Sequence, residues 1–332
     1  MSWLIITLIA YFLIGIAMAV DKTLLSRDIK NPFVYTFYIA ALGGVIILLL
    51  SPFFLRWPGV HQFFISIIAG ATAIIALLFM YWGLKKEEAS RLAPMIGGIT
   101  PIFVFLLASL FLKESLNRNQ IYAFVLIIIG TFLISLDFEQ HGAWTWHHTN
   151  FHKAKVGVVP WMKRKMGFNK NIALPKIRRT LLLSLPAAFF FAVSWVFTKD
   201  IFNHQPFWQG FIWKSIGALA IAFLPMIWKK NRRELKSQKQ NRHTAKTAKR
   251  FIFGQVCGGT GNFFVTYAVS LTSVTLVQAL QGTQYIFLFL IAAFLTYNYP
   301  KILKEKVNYK IVIQKITAIA LIAIGISFIL IS

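Results

Sequence analysis

Hydrophobic positions in this chain do not alternate with polar ones. They run together in ten blocks separated by short, mostly basic connections. The blocks begin near Trp3, Phe33, Phe63, Leu92, Ile121, Leu181, Phe207, Phe251, Val274 and Ile311, and eight of them contain no charged residue. A hydrocarbon core ~30 Å thick is crossed by about 20 helical residues, so each block predicts a transmembrane helix, the fifth and sixth being the shortest. Stretches such as Ile121 to Leu136 are apolar on every side, whereas a membrane β-barrel needs strands that alternate. The expected fold is therefore an all-α integral membrane protein with ten transmembrane helices, multi-pass in the cell membrane, with no connection large enough for a soluble domain.

Composition agrees: 57% of residues are hydrophobic and 14% charged. The single cysteine, Cys257, lies inside the eighth block, excludes an intrachain disulfide and is read as a packing residue. Ala17-Met18-Ala19 mimics a signal-peptidase site, but no Lys or Arg precedes it, so the first block is expected to be retained as a helix.

The net charge of +25 would suit nucleic acid, yet its placement favours a membrane. Of 35 Lys and Arg, 29 fall in or beside the odd-numbered connections; only Arg56, Lys113, Arg118 and Lys199 flank even ones, and Lys214 and Lys315 lie within blocks. Basic connections stay cytoplasmic, which puts both termini outside. The two largest basic segments are Gln140 to Arg179, with nine Lys/Arg, and Lys229 to Arg250, with ten. They are expected to set topology and to lie against anionic headgroups, so the expected partners are the lipid bilayer and a small-molecule substrate, not nucleic acid. His141, His147, His148 and His152 lack companion Cys, Asp or Glu at ligand spacing, so neither a metal nor a cofactor is expected.

The two halves resemble each other. Asn31-Pro32-Phe33 with Phe37 and Pro52 answers Gln205-Pro206-Phe207 with Phe211 and Pro225. Asp21-Lys22 answers Lys199-Asp200, Ile102 to Leu106 answers Ile286 to Leu290, Gly98 answers Gly282, and Gly130 answers Gly325. The division expected is a first five-helix repeat at 1–138, a basic loop at 139–178 and a second five-helix repeat at 179–332. Five is odd, so the second repeat enters the membrane upside down. Two inverted repeats place a site between the halves, where rocking can expose it to each face in turn.

Ala93-Pro94, Gly98-Ile99-Thr100-Pro101, Leu112-Lys113-Glu114-Ser115-Leu116, Gln120 and Gly130 resemble the ten-helix, EamA-type branch of the drug/metabolite transporter superfamily, and Lys22 and Lys199 also fit that pattern. The likeness covers nearly the whole chain. It weakens in the second half, where the corresponding glutamate is displaced to Glu305 and Tyr285 stands in place of Pro101. It implies a secondary carrier of small metabolites, commonly an exporter, and termini that face inward, against the charge pattern.

Candidate substrate-binding residues are those that a lipid-facing helix would not tolerate. Lys214 sits mid-block, where a charge costs about 2.5–3.5 kcal/mol on insertion scales. Either it attracts an anionic or carboxylate-bearing substrate, or it is satisfied by carbonyls and amides of neighbouring helices; Lys315, nearer a mouth, can snorkel. Gln278, Gln281 and Gln284, with Thr283, make the ninth block polar, for a cavity wall or for helix-to-helix hydrogen bonds. Thr100, Asn262 and Trp195 complete the binding candidates. Gly97, Gly98, Gly254, Gly258, Gly259 and Gly261 suit close helix packing. Asp21, Lys22, Lys199 and Asp200 are the gating or mouth candidates. No carboxylate lies mid-block, so an internal proton relay has no obvious member.

The function expected is a secondary transporter moving an amino-acid-like or amphipathic metabolite by alternating access. The alternatives are a lipid or lipid-carrier flippase and, less favoured, an integral membrane enzyme. The loops offer no zincin motif and no acidic dyad, which argues against the enzyme.

Overall fold

The structure, a computed structural model, describes residues 2–27, 31–86, 89–135, 170–240, 244–298 and 309–331. Among them every regular element is helical. The first half holds α1 (Ser2–Arg27), α2 (Pro32–Phe54), α3 (Val60–Lys86), α4 (Ala89–Phe111) and α5 (Arg118–Ser135). Then come α6 (Lys170–His204), α7 (Phe207–Phe223), a 3-10 turn (Leu224–Ile227), α8 (Lys229–Gln240), α9 (Thr244–Leu271), α10 (Val274–Ala279), α11 (Gly282–Asn298) and α12 (Tyr309–Ile331). Seven helical segments are long and apolar enough to cross a membrane: Ser2–Asp21, Pro32–Phe54, Val60–Lys86, Leu92–Phe111, Thr180–His204, Phe207–Ile227 and Ile313–Ile331. The fifth apolar block is shorter, Arg118–Ile134. The chain is thus a multi-pass, all-helical membrane protein.

Two blocks differ from expectation. The ninth is not one helix: α10 ends at Ala279 and α11 starts at Gly282. Leu280 and Gln281 bridge them with i→i+3 bonds from Gln281 N to Gln278 O (3.1 Å) and Thr283 N to Leu280 O (2.9 Å). The basic stretch from Lys229 also proves helical over α8, because Lys, Arg, Glu and Gln are good helix formers even without an apolar face. The histidine cluster at 141–152, Glu305 and most of the expected basic loop lie outside the described residues.

Local chemistry sets the helix starts. Asn31 caps α2 by accepting from Phe33 N (2.9 Å), with Pro32 in the first turn, where its missing N–H costs nothing. Pro206 stands one position earlier, as the cap residue before α7. Lys113 turns the chain at φ 54°, and Asn117 and Gln120 then cap α5 reciprocally (Asn117 N to Gln120 Oε1 3.1 Å, Gln120 N to Asn117 Oδ1 2.9 Å).

The helices pack through small residues. Gly254, Gly258 and Gly261 of α9 meet Val20, Ala17 and Ala10 of α1 in turn, so the two helices are antiparallel. In α5 and α12 the contact is reciprocal. A Cβ on Gly130 would sit 2.9 Å from the Ala318 carbonyl, and one on Gly325 would sit 3.0 Å from the Ala123 carbonyl. Outward surfaces are apolar, Leu48 and Leu110 each being 74% exposed, as suits a bundle solvated by lipid.

The bundle has two distinguishable ends. One carries Lys85 and Lys86 closing α3, together with α8 and the start of α9: the basic end. The starts of α1 and α5 and the finish of α12 lie at the other, as the Tyr122–Phe328 ring pair at 6.0 Å and the α1–α9 register require. Ser2 and Ile331 therefore share the end opposite the basic one.

Candidate functional site

Midway along the bundle, α3, α6 and α7 converge on Lys214, about 12 Å along α7 from Pro206 at 1.5 Å per residue. Its Nζ lies 4.7 Å from the centre of the Trp195 ring of α6. Among the described residues it has no carboxylate, amide or carbonyl partner. A desolvated cation over an aromatic face gains ~2 kcal/mol, less than the desolvation of an ammonium takes away, so the group is left with capacity for an anion. Ser194, beside Trp195, donates to the Ala69 carbonyl (2.8 Å) and ties α6 to α3 at this level.

A second polar wall stands at the α10–α11 break. Gln278 is 1% exposed and its Nε2 has no partner; the Oε1 of Gln281 is also buried and unpartnered. A buried polar group left without a partner costs about 1–3 kcal/mol, so these two do not stabilise the fold as they stand. Gln284 reaches the Met18 sulfur at 3.4 Å, while Thr283 and Thr100 spend their hydroxyls on Leu280 O (2.7 Å) and Ile96 O (2.8 Å) of their own helices. Asn262 is exposed, and its side chain bonds to no described residue. Gly97 makes room for Tyr285, whose hydroxyl donates to the Ala93 carbonyl (2.7 Å) and locks α11 to α4. Lys214 and Trp195 thus come together, the glutamines form a separate wall, and no hydrogen bond joins the two groups among the described residues.

The mouth candidates build two clusters at opposite ends. At the basic end Asp21 of α1 accepts from the Tyr35 hydroxyl, from the Tyr81 hydroxyl (3.4 Å) and from Gln255 Nε2 of α9 (3.3 Å). At the other end Asp200 of α6 accepts from Gln62 Nε2 of α3 (3.2 Å) and stands 3.4 Å from His204 Nδ1. Gln205 donates to Gln62 Oε1 (3.1 Å) and Ser66 (3.4 Å). Each cluster pairs a carboxylate near the end of one long helix with a glutamine on its antiparallel neighbour. Lys199 donates to the Val269 carbonyl (3.1 Å), and the nearby Glu114 accepts from Thr275 of α10 (2.8 Å). The side chain of Lys22 lies outside the described residues.

Sequence inspection missed Tyr35, Tyr81 and Gln255 around Asp21, and Gln62 and Gln205 beside Asp200. Gln62 and Gln255 carried a signal, as amides set among apolar residues. The tyrosines carried none, because a tyrosine is equally at home in any membrane helix.

Comparison with known proteins bears on residues 1–136, which match the EamA-like transporter family. An uncharacterized protein of Methanocaldococcus jannaschii, MJ1333.1, is 39% identical over 71 residues, or 21% of this chain. The chain spans about half (51%) of that curated relative. A solved structure described only as "Crystal structure of protein" superposes with a TM-score of 0.61 at 14% identity, covering 97% of this chain and 95% of its own, which is a likeness of fold.

Proposed function

We propose that this chain is a secondary transporter of the EamA type that carries a small metabolite bearing an anionic group, amino-acid-like or amphipathic, by alternating access. Its scaffold is ten crossing helices in two inverted five-helix halves, 1–138 and 179–332, with the basic loop 139–178 between them. The reciprocal Gly130–Ala318 and Gly325–Ala123 contacts support the inversion, since a two-fold relation between α5 and α12 demands that each glycine meet the other's partner.

The observation that carries the substrate class is Lys214: a cation in mid-bundle with an aromatic face and no counter-charge among the described residues, flanked by a carboxylate cluster at each end. A carboxylate or phosphate entering here gains the ion pair, and the two end clusters break alternately to admit and release it. The unpartnered Nε2 of Gln278 and Oε1 of Gln281 supply a donor and an acceptor for the polar remainder of the substrate. Basic connections held at the cytoplasmic face put Ser2 and Ile331 outside.

The test is uptake into proteoliposomes, with labelled amino acids, small carboxylates, amphipathic cations and a fluorescent phospholipid offered in parallel. Anionic or zwitterionic solutes should accumulate over empty vesicles, and K214M should cut that uptake at least tenfold while the yield of folded protein stays the same. Movement of the phospholipid alone would replace this proposal with a flippase. Equal uptake by wild type and K214M would remove Lys214 from the site.

A further inference from the structure

Where α7 ends, the chain makes a 3-10 turn and starts the basic helix α8, leaving a shallow groove of about 400 Å³ at the basic end. Five of its lining residues, Ala220, Phe223, Leu224, Met226 and Ile227, are apolar, and the sixth is Arg232. We propose that this groove binds one anionic phospholipid, its phosphate on Arg232 and its acyl chain along the apolar wall.

The guanidinium is pre-positioned. Its Nε donates to Met226 O (2.7 Å) and one terminal nitrogen to Ile227 O (3.0 Å), both carbonyls that the 3-10 turn leaves free. Arginine carries five N–H donors in a fixed fork, so three remain after these bonds, at the rim of an apolar trench. Lys229, Lys230 and Arg233 are exposed beside it, and from Lys229 to Arg250 the sequence has ten basic residues against one acid, Glu234. Such a field attracts negative headgroups.

The depth also fits. Ile227 and Trp228, 64% and 62% exposed, sit between the end of α7 and the charges of α8, where indole rings gather at the headgroup level. The platform is fixed: Asn231 donates to Pro225 O (2.7 Å) and accepts from Asn31 of α2 (3.3 Å), holding α8 against α2 and α7. A free phosphate would use the guanidinium but leave the trench empty, and trench and cation together fit an amphiphile.

This inference does not depend on transport. The full-length protein is placed in vesicles with either spin-labelled phosphatidylglycerol or spin-labelled phosphatidylcholine, and the immobilised fraction of each is measured. The wild type should hold phosphatidylglycerol at least fivefold more strongly, and soluble glycerol phosphate should not compete. R232Q should remove most of that preference. A220F, which fills the trench and leaves Arg232 on its carbonyls, should weaken retention of the same lipid in a protein whose thermal unfolding is unchanged. Equal retention of the two lipids by the wild type, competition by glycerol phosphate, unchanged preference in R232Q, or unchanged retention of phosphatidylglycerol in A220F would each overturn the proposal.

Discussion

The two ends of the bundle are closed by different means, although each centres on an aspartate bonded to a glutamine of the neighbouring helix. At the basic end the contacts around Asp21 are between side chains: Asp21 gathers Tyr35, Tyr81 and Gln255, and Tyr35 packs edge-on against Phe251 at 5.6 Å. At the other end side chains are only part of the seal. Trp213 donates to the Arg56 carbonyl (2.8 Å) and packs on Trp57 and Phe63, and farther in, at the mid-bundle level of Lys214, α3 and α7 touch backbone to backbone. A Cβ on Gly70 would fall 2.0 Å from the Lys214 carbonyl, and one on Gly217 would fall 2.7 Å from Ile67. Among the described residues the Asp21 cluster holds through side chains, whereas the other end adds backbone carbonyl contacts and is backed by the α3–α7 contact at mid-bundle. Under the alternating access proposed above, the basic end is the one expected to move first.

The largest effect should come from the backbone contact. Gly70→Leu puts side-chain atoms where the α7 main chain already is, and overpacking of this kind costs about 3 kcal/mol or more when no flexible neighbour can yield. Thermal unfolding of the purified protein should show a large loss of stability. Gly43→Leu, at a glycine with nothing within 4 Å of its missing Cβ, should leave the melting temperature nearly unchanged. Equal effects would mean that α3 and α7 do not fit as described.

Which parts of this arrangement can be read from sequence follows from how far each interaction reaches along the chain. Helices such as α2 and α3 are legible because a bilayer demands long apolar runs, and their starts are legible where a cap or proline is local, as at Asn31-Pro32. Gly130 and Gly325 were paired by sequence likeness alone, and the packing shows what they do. Lys214 was found because a mid-span charge is conspicuous. Trp195 was a candidate too, but nothing in the sequence placed its ring under that ammonium. The surroundings of Asp21 were hidden, since its partners lie 14, 60 and 234 residues away on other helices. The break between α10 and α11 was hidden for a different reason: a Gln-Gly step inside an apolar run also suits a continuous helix. Helix α8 was read as a loop because a helix polar all round has no periodicity to detect.

The two carboxylates offer a smaller but more direct test. Asp21→Ala removes the acceptor of three donors, two of them phenols, and should cost about 2–3 kcal/mol because the hydroxyls of Tyr35 and Tyr81 are left buried. Asp200→Ala should cost nearer 1 kcal/mol, since it orphans a single amide donor, Gln62 Nε2, and His204 is exposed. Unfolding midpoints of the two variants rank them. In parallel, a cysteine introduced at Tyr38, beside Phe251, should react faster with a water-soluble maleimide in the Asp21→Ala background and no faster in Asp200→Ala. The opposite ranking would mean that the basic end is the firmer seal.

The mildest change is Trp213→Phe. It removes one donor from the Arg56 carbonyl but leaves Gln209 Nε2 bonded there at 3.2 Å, and a phenyl ring keeps much of the contact with Trp57 and Phe63. A carbonyl that retains one of two donors is not orphaned, so the loss should be about 0.5–1 kcal/mol, the net worth of one hydrogen bond. Paired with Gln209→Leu, the same substitution strips the carbonyl of both donors, and the double variant should lose more than the sum of the singles. Strict additivity in thermal unfolding would show that the Arg56 carbonyl finds other partners.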